Sequence, residues 1–166
     1  MPVITNATGL ILAGIHATDE VPATKMRVQS KAGVAYATLL RVVVPVDAGD
    51  VLDISGRARV TNDTSPAYTI GFGYHLWQYD VDNGLGASGE WTQISSLCGD
   101  NVDKTRHHMP LLTDTVYTVP ANWPVGHRMT IVLRGDAHST AADGQYLTVD
   151  QAYGQLTVRR WAAPTT

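Results

Sequence analysis

The sequence has very little of the polar residues that surface helices prefer. Its 166 residues include two glutamates and three lysines, although Glu and Lys are good helix formers and common on exposed helix faces. A helical bundle or a doubly wound α/β enzyme is therefore unexpected. Valine, isoleucine and threonine together make up about 27% of the chain, and β-branched side chains fit pleated sheets. The composition predicts a strand-rich protein.

Other absences exclude further classes of protein. No apolar run approaches the roughly 20 residues that a membrane-spanning helix needs, and the first residues lack the charged leader of a signal peptide. A net charge of −3 with no basic cluster argues against nucleic acid as the main partner. We therefore expect neither a membrane nor a nucleic acid among its partners. Cys98 is the single cysteine, so we expect a buried free thiol and no intrachain disulfide.

The length of the chain is typical of one domain. Residues 1–24 mix short apolar stretches with Asn, Thr, Gly and Pro, and we expect an irregular N-terminal arm or an edge strand there. Residues 25–166 contain no linker, charge block or repeat, so we expect them to form one β-sandwich domain.

Most of this second segment alternates between apolar and polar residues, as half-buried strands do. The predicted strands cover residues 25–30, 36–46, 51–62, 68–80, 90–97, 115–120, 127–137 and 146–161. The last of these is either one long strand bent at Gly154 or two strands. Because only a short turn separates 51–62 from 68–80, we predict that these two strands form a hairpin. Residues 99–114 look irregular, although residues 106–112 could form an edge strand interrupted by Pro110. About eight strands at this spacing predict an all-β fold, a single antiparallel sandwich of jelly-roll type.

The histidines raise the question of a metal site. The closest groupings are His107 with His108 and Asp136 with His138. His107 and His108 are adjacent, and adjacent residues of a strand point to opposite faces. No zinc-type spacing of His and Cys occurs. We expect ordinary hydrogen-bonded histidines, with no metal and no other cofactor.

The segment from Asp80 to Gly84 resembles the start of a calcium-binding loop. An EF-hand loop needs an acidic ligand at its twelfth position, where this chain has Trp91. We favour a polar turn, in which Asp and Asn side chains bond their own backbone.

The chain also lacks a G-x-S-x-G nucleophile motif, and most of its aspartates stand where turns need them. We therefore expect no enzymatic activity.

Three aromatic residues suggest a binding surface. Trp77 and Tyr79 share the strand face opposite Ile70 and Phe72, and Trp91 follows after a loop. Together they could form a platform for sugar rings, and Trp77 and Tyr79 would equally suit a protein–protein interface. The third alternative is that the sandwich buries both faces of this strand.

Four segments resemble the small β-sandwich virion proteins of tailed phages that infect actinobacteria. They are VPVDAGDVLDISGRARVTND, YTIGFGYHLWQYD, NWPVGHRMTIVLRGDAHS and YLTVDQAYGQLTVRRW. The resemblance lies in the style of strand and turn and in the Arg-rich composition, and it covers residues 36–161. Proteins of this kind are capsid decoration proteins or minor tail proteins, and neither class has catalytic residues.

The resemblance implies a structural role on the capsid surface, for a chain made in the host cytoplasm. The implied partner is the major capsid protein, and the implied assembly is a homotrimer that bridges and stabilises capsid subunits. As contact residues we expect Val3, Ile4, Leu10 and Ile11 of the arm, together with Trp77 and Tyr79. The alternative function is host attachment, as a minor tail protein or a carbohydrate-binding module that uses Trp77, Tyr79 and Trp91.

Overall fold

The structure is a computed structural model, and it describes residues 5, 9–18, 24–27, 37–62, 69–83, 91–103, 108–138, 146–149 and 153–162. These residues form strands β1 (Ile11–Thr18), β2 (Thr24–Arg27), β3 (Ala37–Pro45), β4 (Val51–Thr61), β5 (Ile70–Asp80), β6 (Thr92–Gln93), β7 (Cys98–Val102), β8 (Met109–Thr118), β9 (Arg128–His138), β10 (Tyr146–Val149) and β11 (Gln155–Ala162). Within these ranges there is no helix long and apolar enough to cross a membrane.

The strands form two antiparallel sheets. Sheet A has the order β1-β11-β4-β10-β2, with β8 on the other side of β4, and sheet B has the order β3-β9-β5-β6, with β7 also paired to β5. The strands pair in nested order: the first pairs with the last, the second with the last but one, and so on inward. The pairs are β1–β11, β2–β10, β3–β9, β4–β8 and β5–β7. Such nesting is that of one long hairpin rolled into a sandwich, the jelly roll. The chain is therefore the all-β antiparallel sandwich that the sequence predicts.

The core lies between the two sheets, and alternation along each strand determines which side chains reach it. Strand β4 buries the alternating residues Leu52, Ile54, Ala58 and Val60. Strand β9 buries Met129, Ile131 and Leu133 in the same way, and β5 contributes Phe72 and Leu76. These residues belong to one continuous apolar cluster.

The predicted hairpin between residues 51–62 and 68–80 is wrong. Strand β4 lies in sheet A, paired with β8, β10 and β11, whereas β5 lies in sheet B, paired with β6, β7 and β9. The chain crosses from one sheet to the other between them. Both strands have one apolar face, and alternation alone cannot distinguish a neighbour in the same sheet from a strand across the core.

Of the two interpretations of residues 99–114, the irregular one is wrong and the edge strand interrupted by Pro110 is confirmed. These residues contain most of β7 and the first half of β8, which continues through the short strand predicted at 115–120. Pro110 lies within β8, and among the described residues this strand pairs only with β4. Proline is tolerated there because an edge strand leaves part of its backbone unpaired.

The expectation of a buried thiol at Cys98 is not met either. Cys98 begins β7 and is partly exposed, with Sγ 4.0 Å from the carbonyl oxygen of Ser96. The cause is its position, because among the described residues β7 pairs only with β5 and thus lies at a sheet margin.

Part of the predicted arm belongs to sheet A. Residues 11–18 form β1, which pairs with β11 along its whole length, and Thr5 makes an isolated bridge with Ile11. The division of the chain at residue 24 stays a prediction, since the residues on either side of β2 lie outside the described ranges.

A buried ion pair fastens the turn between β3 and β4 to β11. The carboxylate of Asp50, only 5% exposed, accepts a hydrogen bond of 2.5 Å from Arg160 Nε and one of 2.8 Å from the backbone N–H of Asp47. Arg160 Nη2 also donates to Asp47 Oδ2 at 2.6 Å. The pKa of nearby His16 is lowered by burial and by the positive charge of Arg160. This network links residues more than 100 positions apart.

Candidate interaction surfaces

The outer face of sheet B carries the aromatic residues that the sequence points to. The ring centroids of Tyr79 and Trp91 are 4.5 Å apart. The guanidinium of Arg134, from the neighbouring strand β9, lies 4.4 Å from the ring of Trp91 and 5.2 Å from that of Trp77. We call Trp77, Tyr79, Trp91 and Arg134 the aromatic cluster. The sequence correctly predicts that its three aromatic residues could come together.

Most of this cluster is shielded from solvent. Tyr79 is 7% exposed, and Val132, which lies opposite Trp77 on the same outer face, is fully buried outside the main core. Trp77 and Trp91 are half-buried. Burial lowers the pKa of His75, which packs edge-on at 5.1 Å against Trp77. The ring faces are therefore largely occupied by one another and by Arg134, and the interface role of Trp77 and Tyr79 stays a prediction.

The predicted contact residues of the arm are placed only in part. Leu10 and Ile11 are half-buried where β1 begins, and Thr5 bridges to Ile11. Val3 and Ile4 lie outside the described residues. The interface role of all four residues stays a prediction.

A second surface, the outer face of sheet A, is open to solvent. Ile15 of β1 is 60% exposed, and Leu112 and Val116 of β8 are 65% and 70% exposed. The pairing registers place Leu112 beside Arg57, and Val116 in one row with Asp53, Arg159 and Ile15. We call this surface the open face. It mixes large apolar side chains with charges of both signs, as the cores and rims of protein interfaces do.

Two adjoining cavities make a groove in the open face. Their volumes are about 380 Å³ and 510 Å³, and Arg57, Leu112 and Gln155 line both of them. Toward one end the groove is bounded by Arg59, Pro110, Tyr153 and Gly154, and toward the other by Ser55, Asp114, Thr157 and Arg159.

The arginines along this groove differ in the groups that they contact. Arg159 forms an ion pair of 3.3 Å with Asp53, and the guanidinium of Arg59 lies 3.7 Å above the ring of Tyr153. Arg57 makes no ion pair, hydrogen bond or ring contact within the described part of the chain. Stacking on a ring uses the face of a guanidinium and leaves its N–H donors open, so both Arg57 and Arg59 can donate to a ligand, and Arg57 is the one that lines both cavities.

The turn after β5 contains the carboxylates considered for calcium. Asp80 Oδ1 accepts a hydrogen bond of 3.0 Å from the backbone N–H of Asp82, as expected for a polar turn. Asp80 Oδ2 is also bonded to His127 Nδ1 at 2.7 Å, and Asp82 forms two hydrogen bonds with the Arg128 side chain, at 2.6 and 3.0 Å. No group of three or more His, Cys, Asp or Glu side chains that could hold a metal occurs among the described residues.

The Asp82–Arg128 pair gives a prediction that NMR can test. Hydrogen bonds from the side chain and the backbone N–H of Arg128 lower the pKa of Asp82 from 3.8 to about 2. Because the folded pKa is below the unfolded one, the pair stabilises the fold at neutral pH and the contribution is lost as the pH falls toward 2. We expect Arg128→Gln to raise the pKa of Asp82 toward 3.8. The pKa is measured by following the NMR signal of the Asp82 carboxyl carbon as the pH is changed. Arg159→Gln is the control, and an Asp82 pKa near 3.8 in the unmodified chain would contradict the assignment.

Sequence reasoning missed the open face because it recognised β8 only in part. The side chains of β8 that point outward include Leu112 and Val116, and those that point inward include Leu111 and Thr113. Apolar residues thus occur on both faces, and the alternation that would reveal a strand is weak. Asp114 lies in the middle of this strand. The sequence pattern that could have indicated this surface is in β4, where Arg57 and Arg59 alternate with core residues and therefore point outward.

Comparison with known proteins identifies the fold and no family. No family model matches the sequence, and no curated protein matches it. The structure of infectious bursal disease virus strain Gx aligns with a TM-score of 0.53 at 12% identity, over 96% of this chain and 38% of that one. The VP2 subviral particle of the same virus gives 0.51 at 13% identity, over 96% and 37%. This chain spans well under half the length of those chains, and at such identity the likeness concerns the fold alone.

Proposed function

We propose that the chain is a non-enzymatic structural protein of a virus particle, a decoration protein that binds the outside of an assembled capsid. The observation that carries the proposal is the open face, where Ile15, Leu112 and Val116 are exposed together. Asp53 and Arg159 lie between Val116 and Ile15 in one row across four strands. Such a mixture of exposed apolar side chains and charges of both signs on one sheet face suits a protein interface. The likeness of the fold to virus-particle structures supports the same conclusion.

In this role the protein binds where capsid subunits meet. The open face contacts the major capsid protein across a seam, and the arm residues Val3, Ile4, Leu10 and Ile11, with Trp77 and Tyr79, add contacts to neighbouring copies. A protein that binds only the assembled shell stabilises it by mass action, and many small contacts combine through multivalency. No cofactor, nucleic acid or membrane takes part.

Co-sedimentation tests the proposal. The purified chain is mixed with shells of the encoding virus that were assembled without it, and both are pelleted. We expect saturable binding at a fixed number of copies per shell, and no binding to unassembled capsid protein. A chain that stays in the supernatant at all concentrations would contradict the proposal.

The homotrimer is tested separately by sedimentation velocity of the purified chain. One chain has a mass of 17.9 kDa, and we expect a single species of three times that mass. A species of one or two chains over the whole concentration range would exclude a preformed trimer, whereas shell binding would be unaffected by that result.

Host attachment is the second candidate, because Trp77 and Trp91 retain exposed surface within one cluster. A sugar-binding tail protein would be retained by host cell-wall material and would lose that retention on Trp77→Ala. Retention of this kind, together with failure to bind shells, would replace decoration by attachment.

A further inference from the structure

The groove in the open face is positively charged, although the chain as a whole is negative. Three arginines and one aspartate line its two cavities: Arg57, Arg59, Arg159 and Asp114. The formal net charge of the chain is −3. Because partners match the local rather than the total charge of a surface, the occupant of the groove is acidic on the side that contacts it.

Arg57 stands at the centre of this groove, in the walls of both cavities. Its neighbour Arg159 is paired with Asp53, whereas Arg59 stacks on the ring of Tyr153 at the end of one cavity and keeps its N–H donors. Arg57 has no partner of this kind within the described residues. A guanidinium presents paired N–H donors that fit both oxygens of a carboxylate, which identifies the group that Arg57 would bind.

The other walls of the groove fit a peptide better than a sugar chain. Leu112 and Pro110 form an exposed aliphatic wall, suited to an apolar side chain. Ser55, Thr157 and Gln155 supply donors and acceptors suited to an extended backbone. Tyr153 is the one aromatic residue among the lining side chains, and Arg59 covers a face of its ring. Sugar rings need exposed aromatic faces for stacking.

We infer that the groove holds an extended acidic segment of another protein chain, with a carboxylate on Arg57 and an apolar side chain against Leu112. The inference rests on the proposed function in that the segment belongs to a capsid protein. The recognition itself is a property of this chain alone, and it can be measured without shells.

Fluorescence anisotropy tests the inference with a fluorescein-labelled octapeptide of alternating glutamate and valine. We expect binding to the full chain that weakens about ten-fold in Arg57→Gln, which corresponds to about 1.4 kcal/mol. The matched control is Arg41→Gln, which removes an exposed arginine of β3 in sheet B and should leave the affinity unchanged. A lysine–valine octapeptide should not bind.

Three results would overturn the inference: equal affinity of Arg57→Gln and the unmodified chain, equal binding of the lysine peptide, or no binding of the acidic peptide at low salt. An oligogalacturonate of the same charge that binds more tightly than the peptide would make the groove a glycan site and would overturn it as well. Shell binding that persists in spite of any of these results would leave the decoration role standing and remove only the acidic segment.

Discussion

Replacement of Phe72 by alanine is expected to lower the free energy of unfolding by about 3–5 kcal/mol, which is the usual range for loss of a buried aromatic side chain. Phe72 is the single phenylalanine of the chain and is fully buried between the sheets. Its ring stacks at 5.9 Å on that of Tyr74, whose hydroxyl in turn donates to the carbonyl of Leu112 in sheet A. The substitution removes both the apolar burial and the support for this link. Urea denaturation measures the effect.

The same site offers an internal check, because the ring of Phe72 fills space that Gly135 leaves open. A Cβ atom at Gly135 would lie 2.6 Å from Phe72 Cζ, so Gly135→Ala alone overpacks the core and should cost about 1–3 kcal/mol. In Phe72→Ala/Gly135→Ala the new methyl group no longer meets the ring, and its nearest neighbour is Leu39 Cδ1 at 3.1 Å. We expect the double variant to be less destabilised than the sum of the two single variants, and strict additivity would contradict the contact. Val125→Ala, at a side chain that is 98% exposed, should be neutral.

Replacement of Arg160 by methionine is expected to cost about 3–5 kcal/mol, because it leaves the carboxylate of Asp50 buried without its charged partner. The Asp50 side chain is fixed by Arg160 and by the N–H of Asp47. Water cannot replace the guanidinium easily at so enclosed a position, and the penalty for an unpaired buried charge exceeds what an exposed pair contributes.

The adjacent residue provides a matched control for this prediction. Arg159 also pairs with an aspartate of β4, but its pair with Asp53 is close to half exposed on both sides. We therefore expect Arg159→Met to cost less than about 1 kcal/mol. Asp50→Asn in the Arg160→Met background should recover part of the loss, since it removes the charge and keeps an acceptor for the N–H of Asp47. Similar costs for Arg159→Met and Arg160→Met would contradict the account.

The fold was predictable where a strand has one apolar face. In β4 and β9 the alternation of core and outward residues identifies the strands and the faces that they bury, and the scarcity of Glu and Lys excludes helices. The pairing was not predictable, because β4 and β5 have equally good core faces and only the closure of the whole sandwich decides that they lie in different sheets. The link between Asp50 and Arg160 depends on that closure, and no local pattern indicates it.

The candidate site was predictable only in part, for a related reason. The aromatic cluster is local enough to be read from alternation along β5, although its burial by Arg134 depends on a neighbouring strand. The open face needs β1, β11, β4 and β8 side by side, with apolar side chains pointing to solvent. Because Leu112 and Val116 violate the rule that apolar residues face the core, the feature that marks the surface also hides its strand.

The central claim, that the open face is the surface that binds the capsid, is tested most directly by one pair of variants. Val116 and Val125 are both exposed valines, the first on the open face and the second in the turn between β8 and β9. Each is replaced by aspartate, and binding to undecorated shells is measured by co-sedimentation. We predict that Val116→Asp lowers the affinity at least about ten-fold, because it places a charge in an apolar contact, whereas Val125→Asp binds as the unmodified chain does. Equal binding of the two variants would contradict the claim.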